Sequence, residues 1–198
     1  MITEPLLVIA SLLLFTSPPQ VGPMVMWTAL LTGPFVGMVL LLAGVVKLGN
    51  RREFSRTIQN YKLVSPHAAG IIAVALPELE IIVGSFLLIR FSVVFAGTVA
   101  CVLFVSFATA VGINLVRGRR RFACGCFGPS EDKPLGWSHV VQNVSLAFVS
   151  LLSACYAWVI PPSQALWRDQ LAATLAAAVI LISWWLVTLS SHLLRSTL

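Results

Sequence analysis

Two thiols one residue apart, Cys124-Gly125-Cys126, open the segment Cys124-Gly125-Cys126-Phe127-Gly128, and they are the most reactive pair in the sequence. A disulfide needs its two Cα atoms about 4.4–6.8 Å apart with converging Cβ vectors. Helical neighbours two apart point to different faces, and in an extended strand they sit near the upper limit of that range. A Cys-Gly-Cys bridge therefore requires a bent loop. Gly125 and Gly128 supply the backbone freedom, and Pro129 stops a helix from running in. So small a ring is strained, and strained bridges are the exchangeable ones. Arg117, Arg119, Arg120 and Arg121 lie just upstream, where positive charge favours thiolate. Redox cycling of Cys124 and Cys126 is one reading of these residues. Metal ligation, with His139 or His67 as a third ligand, is another. A pair of loop cysteines without chemistry is the third.

The elements that must hold this loop are membrane helices. The chain has 198 residues, 58% of them hydrophobic and only 10% charged, against about 25% charged in a soluble domain. Uncharged apolar runs exceed the ~18 residues that cross a hydrocarbon core as helix. The sequence predicts an all-α polytopic membrane bundle. Its spans are about 24–48, 66–89, 91–116 and 138–160, with a further C-terminal span at about 170–193. All 198 residues form one integral membrane domain: an apolar extension (1–23), a core (24–160) and an extra helix (161–198). Residues 5–16 read as an interfacial or half-inserted piece or a short extra span. Glu4 stands where a signal peptide needs a basic start.

The formal charge of +6 reports membrane orientation. No basic surface interleaved with aromatics points to nucleic acid. With the loops at 49–65 and 117–136 and the C-terminus on one side, that side holds Lys47, Arg51, Arg52, Arg56, Lys62, Arg117, Arg119, Arg120, Arg121, Lys133 and Arg195. These are eleven of the thirteen basic residues, leaving Arg90 and Arg168 opposite. The positive-inside rule assigns the eleven, and with them the thiol loop, to the cytoplasm of a multi-pass plasma-membrane protein. In the 49–65 loop, Phe54, Ile58 and Tyr61 recur at helical spacing among basic residues, which predicts an amphipathic helix on the membrane surface.

Inside the spans, the ionisable groups are informative. Pro77-Glu78-Leu79-Glu80 lies near the centre of the second span. Glu78 and Glu80 are about 200° apart on a helix, so one faces the bundle interior and the other needs a separate partner. Lys47, Asn114, Arg117, His139 and Asn143 fall near one boundary and could form a polar collar beneath the thiol loop. Snorkelling bases and interhelical glue explain the same residues. Cys101 and Cys155 lie about 22–24 Å along their helices from the loop end. That depth allows a second thiol pair for an electron relay, or two small packing residues. Gly33-x-x-x-Gly37, with Gly44 beyond, permits close helix approach.

Placed in order, these residues resemble the MauE family, membrane proteins of methylamine utilisation related to DoxX-like four-helix proteins. Ala43-Gly44-x-x-Lys47-Leu48, Phe54 with Tyr61, and Leu76-Pro77-x-Leu79-Glu80 match the first half. Asn114-Leu115-x-Arg117-Gly118-Arg119, the Cys-Gly-Cys-Phe-Gly run, and His139 with Gln142-Asn143 match the second. The resemblance covers about residues 35–160 and rests above all on RGR followed by CGCFG. It implies a DoxX-like core and a redox-associated role in maturing the exported small subunit of methylamine dehydrogenase, beside a thioredoxin-like partner. The enzymatic reading is a thiol-disulfide oxidoreductase with Cys124 and Cys126 catalytic. In support stand Arg117 and Arg119 for the thiolate and Glu80 as a structural or proton-handling group. The alternative is a non-enzymatic assembly or export factor whose loop docks a protein or binds metal. No cofactor is expected, since the chain carries neither a haem-attachment motif nor a quinone signature. The client expected of the family is periplasmic, whereas the charge count puts the loop inside. An electron relay through Cys101 and Cys155, or an inverted topology, reconciles the two.

Overall fold

The computed structural model describes residues 23–120, 135–159 and 167–196. The described residues form six helices: α1 (Pro23–Gly49), α2 (Arg51–Tyr61), α3 (Pro66–Leu88), α4 (Val93–Val116), α5 (Trp137–Val159) and α6 (Trp167–Ser196). Four of them, α1, α3, α4 and α5, are long and apolar enough to cross a membrane. The helix predicted over 170–193 is present as α6. The N-terminal apolar piece and the thiol loop lie outside the described residues.

The helix boundaries follow from local chemistry. Ser65 caps α3: its hydroxyl accepts from the Ala68 N–H at 3.3 Å, and Pro66 follows at the position where a missing N–H costs nothing. Lys62 takes a left-handed conformation (φ 49°) and ends α2. The predicted start of the third span at 91 moves to Val93. Arg90 (φ 56°) and Ser92 (φ 48°) both adopt left-handed backbone there, turning the chain tightly between α3 and α4.

The bundle packs as two tight pairs, α1 on α3 and α4 on α5, with α6 against α1. Small residues set the first pairing. A Cβ on Gly37 would meet the Gly84 carbonyl at 2.8 Å, and one on Gly84 would meet the Gly37 carbonyl at 2.7 Å. Backbone thus touches backbone, which only glycine allows here. Gly44 lies in the same way against Pro77, whose carbonyl a Cβ would meet at 2.9 Å. Between the pairs lies an apolar core built on Val36, Leu40, Leu87, Ala96, Ala100 and Phe104. The outward faces remain apolar too: Ile71, Val74, Phe95, Val102 and Phe148 are exposed, as lipid-facing residues must be. Hydroxyls on these faces are satisfied within their own helix. Thr98, Ser106 and Thr109 each donate to the carbonyl four residues back at 2.8 Å.

Candidate functional site

One end of the bundle gathers the polar side chains. There α1 and α4 end, and α3 and α5 begin. The short helix α2 packs across that end against α3 and α4. Its basic residues Arg51, Arg52 and Arg56 are exposed, while Tyr61 is buried against Val111, Leu115 and Leu135. The amphipathic helix expected from Phe54, Ile58 and Tyr61 is therefore present.

Lys47, in the last turn of α1, points inward and is 2% exposed. Its ammonium donates to Glu80 Oε1 of α3, itself fully buried. The same ammonium lies 5.4 Å from the Phe54 ring centroid of α2 and 5.0 Å from that of Phe107 of α4. One cation thus holds together four helices, through a carboxylate and two aromatic faces. Glu80 Oε2 has no hydrogen-bond partner among the described residues. Glu78 has turned outward, as the 200° separation requires, and meets Arg51 of α2 at 3.5 Å. Sequence reasoning singled out Lys47 and Glu80 separately and did not join them.

Arg119 ties the other polar contacts. Its guanidinium donates to the Asn60 carbonyl (2.8 Å), the Tyr61 carbonyl (3.2 Å) and Asn114 Oδ1 (3.3 Å). The two carbonyls belong to the last turn of α2, where helical acceptors are left over and a cation is favoured. This puts the 49–65 segment and residues 117–120 on one side of the bundle. Beyond Arg119, the Leu135 N–H donates to the Arg120 carbonyl at 2.9 Å. That bond joins the described residues on either side of 121–134, and Leu135 is buried beside Tyr61. His139 is half-buried in the first turn of α5, where its Nδ1 accepts from the Gly136 N–H at 3.3 Å. Asn143, one turn on, donates to the His139 carbonyl at 2.8 Å.

Of the collar expected at this end, His139 and Asn143 are joined, and Asn114 meets Arg119, which was not part of that collar. Lys47 belongs instead to the buried pair, and Arg117 is exposed. Cys124 and Cys126 fall outside the described residues. Cys101 of α4 is half-buried against the core, Cys155 of α5 is exposed, and both are free thiols. Among the described residues, no three His, Cys, Asp or Glu side chains gather as a metal-ligand group; His67 is exposed at the start of α3.

These features define a multi-pass helical membrane protein with a buried ion pair at one end and a basic, stapled loop base beside it. The chain belongs to the methylamine utilisation protein MauE family, whose pattern matches residues 24–157. It is similar to the methylamine utilization protein MauE of Paracoccus denitrificans, with 31% identity over 68% of this chain and 70% of the relative. The MauE protein of Methylophilus methylotrophus is 35% identical over 64% of this chain and 67% of its own length. That of Methylorubrum extorquens is 33% identical over 73% and 76%. No solved structure matches. The matched region takes in every polar contact described above and excludes all of α6.

Proposed function

We propose that this protein is a membrane thiol-disulfide exchanger of methylamine utilisation, using Cys124 and Cys126 to support maturation of an exported protein. The observation that carries the reading is the loop base. Arg120 and Leu135, the described residues on either side of 121–134, are joined by a backbone hydrogen bond, beside an Arg119 fixed to α2. Cys124 and Cys126 follow Arg117 and Arg120 closely in sequence, and the exposed guanidiniums of these two arginines favour thiolate.

The exchange balances in two steps. One loop thiolate attacks a partner disulfide, forming a mixed disulfide and releasing a partner thiolate. The second loop cysteine displaces the first bond, leaving a Cys124–Cys126 disulfide and a partner reduced by two electrons and two protons. In reverse, the same steps oxidise the partner. A thioredoxin-like protein is the partner this chemistry fits, and an exported protein rich in disulfides is the client. The excess of positive charge on that side supports a cytoplasmic loop. Delivery to an exported client then needs a relay across the bilayer, for which Cys101 and Cys155, on the packed helices α4 and α5, are the available thiols.

The test is trapping. With Cys126→Ser or Cys124→Ser, one of the two variants should accumulate a mixed disulfide with a partner protein, seen as a dithiothreitol-sensitive adduct. The double serine variant should lose both the adduct and client maturation. Full client maturation by the double variant would sink the exchange mechanism and leave a docking role for the loop.

A further inference from the structure

Beneath α2 lies a chamber of about 400 Å³, within the roughly 300–1,000 Å³ range of ligand pockets. Its walls are apolar: Phe54 of α2, Leu76 of α3, and Phe107 and Ala110 of α4. Among the described residues, its one charged lining residue is Lys47. Leu63 and Ser106 also line it and are exposed. Ser106 stands between Val102 and Thr109 on the outward face of α4, so the chamber opens towards lipid.

The chemistry of Lys47 selects what fits. An ammonium has three donors, and among the described residues only Glu80 accepts from it. The carboxylate already neutralises the charge. A second anion would leave net negative charge in a low-dielectric site, at a steep desolvation cost. A cation would leave net positive charge there, at the same kind of cost. A neutral acceptor oxygen meets neither penalty, and the apolar walls accommodate the rest of the molecule.

We propose that this chamber binds a lipid-soluble, neutral molecule with a carbonyl head and an apolar tail, its oxygen accepting from Lys47 and its body lying between α2 and α4. The site stands apart from the thiol reading and holds whether or not Cys124 and Cys126 exchange disulfides.

The full chain in nanodiscs is photolabelled with a diazirine-tagged decyl-benzoquinone, and labelled peptides are located by mass spectrometry. Saturable labelling of the α2 and α4 peptides is expected, competed by untagged decyl-benzoquinone and not by palmitate or dodecylamine. Ala110→Phe, which fills the chamber without touching the ion pair, should weaken binding by about tenfold or more, a difference of roughly 1.4 kcal/mol. Because added bulk can also disturb packing, Lys47→Met/Glu80→Leu is measured beside it. This double variant removes the donor without leaving an unpaired charge, and it too should weaken the carbonyl probe. Labelling that does not saturate, or that survives Ala110→Phe, would overturn the site. Stronger competition by palmitate, or unchanged affinity in the double variant, would overturn the neutral-carbonyl assignment.

Discussion

Lys47 and Glu80, 33 residues apart in sequence, form an ion pair buried between the first and second membrane spans, with neither side chain more than 2% exposed. A lone charge at that depth has no water to turn to, so breaking the pair by removing one member costs about 3–5 kcal/mol. Lys47→Ala and Glu80→Ala should each lower the thermal midpoint of the detergent-solubilised protein sharply. Lys47→Met/Glu80→Leu should recover most of the loss, because paired apolar replacements of similar volume are often neutral. A double variant no more stable than the singles would show that the pair is not coupled.

The contact between Gly37 and Gly84 leads to a steric prediction. A Cβ at Gly84 collides with backbone, at 2.7 Å from the Gly37 carbonyl, so no side-chain rotation relieves it. Gly84→Val must push α1 from α3 and disturb the register that joins Lys47 to Glu80. Gly112→Val is the matched control, since a Cβ there meets nothing within 4 Å. Thermal unfolding in detergent should show a loss of about 1–3 kcal/mol, the usual cost of overpacking, for Gly84→Val and little change for Gly112→Val. Equal stability of the two variants would refute the close approach.

The four spans were legible because uncharged runs of this length leave few alternatives to a membrane helix. That Glu78 and Glu80 take different faces followed from 100° per residue. Their partners did not. Periodicity fixes which face a residue occupies on its own helix, but not which residue of another helix lies opposite. The same limit hid Gly84, whose role depends on Gly37 in another span, although the Gly33–Gly37 spacing was visible. Arg119 binds backbone carbonyls of Asn60 and Tyr61, acceptors that every residue carries and that leave no mark in a sequence. The chamber beside Lys47 is space between four helices, so no single segment encodes it. The thiols were the reverse case: Cys124-Gly125-Cys126 stood out in the sequence with redox, metal and inert readings all open, and their surroundings lie outside the described residues.

Arg119 gives a prediction about the loop base. Its guanidinium makes two bonds to the end of α2 and one to Asn114. Hydrogen bonds from a charged group contribute about 1.5–3 kcal/mol each where water is excluded, and less at this partly exposed site. Arg119→Ala should therefore leave the spans folded while freeing α2 and the base of segment 121–134. Limited proteolysis should cut between residues 115 and 136 several-fold faster, with an unchanged far-UV helix signal. Arg119→Lys should rescue only in part, because an ammonium cannot span two carbonyls and an amide as a planar fork does. Unaltered cleavage in Arg119→Ala would show that the loop base is held by Leu135 alone.

The last prediction concerns sidedness. Arg119 bonded to α2 requires residues 49–65 and 117–120 to share one face of the membrane, while Ile89 lies at the far end of α3. In a variant with all four native cysteines replaced by serine, single cysteines are introduced as Arg56→Cys, Arg120→Cys and Ile89→Cys, each at an exposed position. A membrane-impermeant maleimide is applied to intact and permeabilised cells. Arg56→Cys and Arg120→Cys should behave alike, and Ile89→Cys should behave oppositely. The positive-inside rule further expects the first two to label only after permeabilisation. Labelling of both in intact cells would place the thiol loop outside and make direct exchange with an exported partner the route, with no relay through Cys101 and Cys155. Different behaviour at 56 and 120 would contradict the Arg119 contact itself, because two segments hydrogen-bonded at 2.8 Å cannot lie on opposite sides of a bilayer.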